Sequence, residues 1–170
     1  MFPENFVWGV ASSAYQIEGT DPEDGRGKNI WDTFAEQGRI YDGQNADVAC
    51  DHMHRYKEDF AMMRLLGVKA YRFSLNWARI LPEGTGRVNE KAIALYRDMI
   101  KEMKKNGIEP YVTMYHWEFP QVLQDRGGWL NEEVIEWFGE YAKVVAENFS
   151  DLAEYFITLN EPECFVGIGH

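Results

Sequence analysis

The feature that most narrows what this chain can fold into is an alternation of short β-rich runs with longer amphipathic segments. The runs fall at residues 6–11, 68–74, 109–115 and 155–159 of a 170-residue sequence. Between them, Tyr56, Phe60, Met63 and Leu66 recur at three- and four-residue steps over residues 51–66, and Gly67 follows as a stop. Asn89 stands where an N-cap belongs, ahead of a helix reaching about Asn106 whose stripe is Ile93, Tyr96, Ile100 and Met103, with Gly107 after it. A third helix is expected from about Asn131, with Val134, Trp137, Phe138, Tyr141 and Val145 as its buried stripe. The first connection is instead a long Gly- and Asp-rich loop (21–27) followed by a helical turn near residues 30–34. Strand–helix alternation of this kind predicts an α/β fold, a parallel sheet covered by helices.

An open doubly wound sheet and a barrel both satisfy that pattern. An open nucleotide-binding sheet calls for a glycine-rich phosphate turn after its first strand. The chain there reads Ser12-Ser13-Ala14-Tyr15-Gln16, with neither the glycines nor a phosphate-binding lysine. The residues at the strand ends favour the barrel: Tyr15, Gln16 and Glu18 after the first, Arg72, Asn76 and Trp77 near the end of the second, His116-Trp117-Glu118 after the third, Asn160-Glu161-Pro162-Glu163 after the fourth. Barrel enzymes gather their chemistry at the C-terminal ends of several strands. The 170 residues are read as one domain, four strands of a (β/α)8 TIM barrel and therefore its N-terminal half.

Strand periodicity places Val68, Ala70, Arg72 and Ser74 on one face and Tyr71 and Phe73 on the other. The bulky face suits helix packing, so Arg72 is expected to point into the barrel. A guanidinium there needs a carboxylate. That partnership is either a structural salt bridge or a means of keeping a catalytic carboxylate ionised. Glu161 is the leading acid: it ends a strand, and Pro162 after it biases its backbone towards an extended conformation. It is read either as a general acid in an aromatic-lined mouth or as a solvated loop carboxylate. Glu118 and Glu163 rank behind it, and Glu23 and Asp24 are read as solvated surface. His116 is either a core histidine or a donor to substrate. His52 and His54 face apart on a helix, which argues against a metal site, and no nucleophilic Ser or Cys is paired with a base.

The totals exclude other classes. Twenty-eight acids against 17 Lys and Arg give a formal charge of −11, which repels nucleic acid and anionic membrane surfaces. No apolar run is long enough to span a bilayer, the start has no signal-peptide pattern, and Cys50 and Cys164 show no paired spacing. The cytoplasm is the expected setting.

These segments resemble glycoside hydrolase family 1, the β-glucosidase family. The matching stretches are Phe2-Pro3-Glu4-Asn5-Phe6-Val7-Trp8-Gly9 with Ala14-Tyr15-Gln16-Ile17-Glu18-Gly19, then Trp31-Asp32-Thr33-Phe34, Asp51-His52-Met53-His54-Arg55-Tyr56 and Tyr71-Arg72-Phe73-Ser74. Tyr115-His116-Trp117, Gly128-Trp129-Leu130 and Thr158-Leu159-Asn160-Glu161-Pro162 complete the series. The resemblance implies retaining hydrolysis of terminal β-D-glycosides. Glu161 is then the acid/base catalyst, Asn160 bonds the sugar 2-hydroxyl, Gln16, His116 and Trp117 contact the same sugar, and Arg72 lies beside the nucleophile. No cofactor or metal is implied. The family's nucleophile lies in a Glu-Asn-Gly motif that these 170 residues do not contain. The expectation is therefore a fragment or split half, inactive without a complementary C-terminal half-barrel and prone to self-association, that binds a β-glycoside or oligosaccharide. The alternative is a carbohydrate-binding or structural half-barrel that performs no hydrolysis.

Overall fold

The structure is a computed structural model and describes residues 1–21 and 23–169, so Pro22 of the first loop lies outside it. In chain order the elements are β1 (Gly9–Ala11), α1 (Ala14–Ile17), α2 (Ile30–Glu36), a 3₁₀ turn at Tyr41–Gly43, α3 (His52–Leu65), β2 (Ala70–Ser74), α4 (Trp77–Ile80) and α5 (Glu90–Lys105). They continue with β3 (Glu109–Tyr115), α6 (Gln121–Gln124), a 3₁₀ turn at Gly128–Leu130, α7 (Val134–Phe149), β4 (Tyr155–Leu159) and α8 (Pro162–Gly167). The four strands form one parallel sheet in the order β1-β2-β3-β4.

The third and fourth strands lie where the β-rich runs place them. The first two are shorter than their apolar runs, because a strand extends only as far as it has a partner. Trp8 reaches β2 through a single bond from the Lys69 amide, 2.8 Å, ahead of the β1 ladder. The third long helix begins at Val134 rather than Asn131. The Asn131 side chain accepts the Glu133 amide at 3.0 Å, a local turn that competes with helix and delays its start. Asn89 does cap α5, accepting the Lys91 amide at 3.2 Å.

Lateral register sorts the sheet into two faces. Tyr71, Phe73, Val112 and Met114 lie under α3, α5 and α7 and are buried with Phe60, Tyr96, Ile100, Tyr141, Val145 and Phe149. Trp77 stacks on Tyr141, ring centroids 4.6 Å apart and nearly parallel, which closes the top of this core. The opposite face carries Arg72, Tyr111, Thr113, Tyr155 and Ile157, of which Tyr155 is 41% exposed. Phe2, Phe6 and Trp8 cluster beside β1, Trp8 edge to face with both phenylalanines, and are exposed as well.

The loop after β1 packs on the loop after β2 by close backbone approach. Gly27 donates its amide to Ala78 O at 2.8 Å, and a Cβ on Gly27 would stand 2.1 Å from Pro82 O. Only glycine fits there.

Candidate active site

The polar residues that close the strands converge at one end of the sheet, and Arg72, Asn160, Trp117 and Glu118 are bonded to groups from another strand end. Arg72, on the face turned away from the helices, donates from Nε to Thr113 Oγ1 at 2.9 Å and from Nη2 to Asn160 Oδ1 at 2.5 Å. Among the described residues Arg72 meets no carboxylate, so the ion pair expected of it is not formed; a hydroxyl and an amide oxygen satisfy it instead. Asn160 is 6% exposed and is the hub of the group. Its amide donates to Tyr115 O, its carbonyl accepts from Trp117 Nε1, both at 2.9 Å, and its Nδ2 lies 3.3 Å from both His116 Nε2 and Glu161 Oε2.

His116 is half-buried. Burial lowers its pKa first, and the Arg72 charge lowers it further, against an opposing pull from Glu161. The ring is therefore neutral at pH 7. If it accepts from Asn160 at Nε2, its proton sits on Nδ1, a buried atom with no partner among the described residues.

Two residues of this group have positive φ. Trp117 sits at φ 82° and Glu161 at φ 43°, ψ 64°, in the left-handed region. The extended backbone expected of Glu161 is thus not what forms. The chain must turn from β4 into α8 within one residue, Pro162 occupies the first helical position, and Glu161 becomes the N-cap by reversing hand. Such conformations cost roughly 1–3 kcal/mol each and persist where surroundings over-determine them. Here the constraint is the set of bonds through Asn160. The Glu161 side chain is exposed, open to whatever approaches the strand ends.

Gln16 lies on α1, exposed, and its side chain makes no hydrogen bond among the described residues. Its neighbour Tyr15 is tied to the third strand end, donating its amide to Glu118 Oε1 at 2.8 Å. Glu118 is not a peripheral acid: it is 1% exposed, and burial pushes its carboxyl up to about 8, partly offset by the backbone N–H groups of Tyr15, Glu118 and His116. Glu163 is exposed. His52 is buried against Asp59, Nδ1 to Oδ2 2.6 Å, while exposed His54 pairs with Asp51, so the two rings do point apart.

Beneath these groups lies a buried charge cluster that sequence reading missed. Arg79, 1% exposed, donates to Glu18 Oε2 at 3.2 Å, to Gly19 O at 2.9 Å and to Asp24. Tyr96 completes it, its hydroxyl donating to Glu18 Oε1 at 2.7 Å. Asp24 is consequently not solvated surface; its side chain is 14% exposed. A signal was present, a lone arginine inside the apolar run Trp77-Ala78-Arg79-Ile80-Leu81. Burial works against the guanidinium's charge, but Glu18 and Asp24 more than compensate, and Arg79 keeps its proton above its ordinary range.

The sequence profile of glycosyl hydrolase family 1 matches residues 1–170. The chain belongs to that family. It is 52% identical over 170 residues to a β-glucosidase A of Thermotoga maritima and 48% identical to a β-glucosidase A of Acetivibrio thermocellus, in each case over 99% of this chain and 38% of the relative. It superimposes with a TM-score of 0.96 on solved structures of the T. maritima β-glucosidase in complex with cyclophellitol and with deoxynojirimycin, at 52% identity. The match to the cyclophellitol complex covers 99% of this chain and 39% of that one. The chain thus spans under two fifths of the length of these relatives, and its four parallel strands alternating with helices correspond to the N-terminal part of the family's barrel. Among the described residues no helix is long and apolar enough to cross a membrane.

Proposed function

We propose that this chain supplies the acid/base half of a retaining β-glucosidase site, completed by a carboxylate nucleophile from a C-terminal half-barrel. The observation that carries the reading is the Arg72–Asn160–His116–Glu161 cluster at the strand ends, in which an exposed carboxyl is set by a left-handed backbone and a bonded amide beside it. Glu161 protonates the glycosidic oxygen as the C1–O bond breaks and the nucleophile forms an ester at C1. Water then attacks C1, yields its proton to Glu161, and releases the nucleophile with the anomeric configuration retained. The two carboxyls of such a pair stand about 5–5.5 Å apart.

Asn160 is placed to bond the 2-hydroxyl, and Gln16, His116 and Trp117 to receive other hydroxyls of the same sugar. In a neutral His116 with its proton on Nδ1, Nε2 is an acceptor for a sugar hydroxyl should the Asn160 amide turn to the ligand. Arg72, unpaired with any carboxylate within the described residues, is free to steady the incoming nucleophile in its ionised form. The bare sheet edges and the uncovered Tyr111–Tyr155 face fit a second half-barrel, or self-association in its absence.

The test is hydrolysis of an aryl β-glucoside by this chain alone and with a C-terminal half-barrel from the T. maritima relative. Turnover that needs the complement and falls by about 10²–10⁴ on Glu161→Gln is expected of a general acid/base. Turnover by the chain alone that survives Glu161→Gln refutes the assignment.

A further inference from the structure

We propose that Glu118 is a positioning residue, whose buried carboxyl ties the α1 segment carrying Gln16 to the His116–Trp117 corner, so that the sugar-contacting groups of two strand ends move as one. This rests on the glycosidase reading for what the groups contact, but the tie itself does not.

The geometry is built from both sides. The positive φ of Trp117 reverses the chain just past β3, and the Phe119 amide closes a tight turn onto Trp117 O at 2.9 Å. That reversal leaves Glu118 buried, 1% exposed, with its carboxyl turned towards the first strand end. From the other strand end the Tyr15 amide donates to Oε1 at 2.8 Å. Tyr15 precedes Gln16, and His116 and Trp117 precede Glu118, so one carboxyl stands between three residues assigned to the sugar. Trp117 in turn donates to Asn160 O, extending the tie to the residue beside Glu161.

Two further observations speak for a role beyond packing. Among the described residues Glu118 Oε2 and Tyr15 Oη are both buried without a partner, and at Oε2 an apolar residue at 118 would avoid that cost. The carboxyl is also electrostatically linked to titratable groups on three neighbouring elements: Glu18 just after α1 raises its pKa, and Glu118 in turn raises those of Tyr115 on β3 and Tyr141 on α7. Burial and Glu18 together raise its pKa to about 8 against the three donors. Charging the group then strengthens the bond to Tyr15 while exposing its burial cost, and both strand ends must respond together.

The experiment follows the Tyr15 amide and the Trp117 indole N–H by NMR from about pH 6 to pH 10, a range that brackets the value near 8. It uses the native protein, Glu118→Gln and Glu118→Asp. In the native protein both signals are expected to shift with one common midpoint. In Glu118→Gln, which keeps an acceptor for Tyr15 but cannot ionise, neither shifts with that midpoint. In Glu118→Asp, shorter by one methylene, the midpoint moves at both signals together, and deoxynojirimycin, added to the chain completed with the half-barrel, binds severalfold more weakly. A midpoint at Tyr15 with none at Trp117, or the same midpoint in Glu118→Gln, overturns the proposal. Absence of deoxynojirimycin binding to the native assembly would instead count against the glycosidase reading, leaving the NMR result to decide the tie.

Discussion

Replacing Arg79 by Met is expected to destabilise this protein far more than a surface ion pair would allow. Arg79 is 1% exposed, and its guanidinium is shared among Glu18, Asp24 and Gly19 O. Methionine fills much of the same volume but returns nothing to the acids. Glu18, 3% exposed, is left with the Tyr96 hydroxyl as its polar partner within the cluster, and Asp24 loses its ion pair. Removing one side of a buried pair costs about 3–5 kcal/mol, because the orphaned charge stays in a poor solvent, against about 0–1 kcal/mol for an exposed pair. In a chain of this size each kcal/mol is worth roughly 2–4 °C in melting temperature, so a fall on the order of 10 °C is expected. The assay is thermal and urea unfolding followed by circular dichroism. The companion variant Arg79→Met/Glu18→Gln/Asp24→Asn should recover a large part of the loss, since neutral side chains cost less to strand than carboxylates. A loss under about 1 kcal/mol for Arg79→Met, or no recovery in the triple variant, would show that water reaches these groups and that the reasoning from burial is wrong.

Glu118 gives a pH dependence with a definite sign. Its carboxyl titrates near 8 when folded and near its ordinary 4.5 when unfolded, so its contribution to stability is whole below about 4.5 and is lost as pH rises through 8. The urea midpoint of the native protein should therefore fall between about pH 5 and pH 9, while Glu118→Gln flattens that slope, with a ceiling of a few kcal/mol. For Glu161→Gln in the completed enzyme, an alkyl β-glucoside should lose at least tenfold more kcat/KM than a dinitrophenyl β-glucoside, whose leaving group needs little protonation; equal losses would contradict a general-acid role. Gly27→Ala should unfold several degrees lower in a melting experiment, because its Cβ would meet the Pro82 backbone, with the carbonyl oxygen 2.1 Å and the carbonyl carbon 2.9 Å away.

Much of the frame is legible in the sequence because strand periodicity and amphipathic spacing are local. The bounds of β3 and β4 follow from their apolar runs, and the Asn89 cap marks the start of α5. The face assigned to Arg72 follows from alternation alone, and Tyr71 and Phe73 are indeed the buried pair. What escapes is what depends on pairs distant in the chain. Asp24 reads as solvated until Arg79, 55 residues later, is seen beside it, and Glu118 reads as a spare acid until the Tyr15 amide, 103 residues earlier, meets it. The hand of Glu161 escapes for another reason: the preference of a residue before proline is a local bias, and the bonds around Asn160 override it.

The sheet order β1-β2-β3-β4 repeats the order of the chain. Each strand after β1 therefore finds a partner already made when it leaves the ribosome, and at about 5–20 residues per second the four are laid down side by side within about half a minute. The two outer edges, on β1 and on β4, are left open among the described residues. Of the two, the β1 edge and the exposed Phe2–Phe6–Trp8 cluster beside it are made first, so they stay wet longer during synthesis than the β4 edge. The first of these strands to be made thus carries the edge that is exposed longest, and it is there that a chaperone would have the longest opportunity to bind.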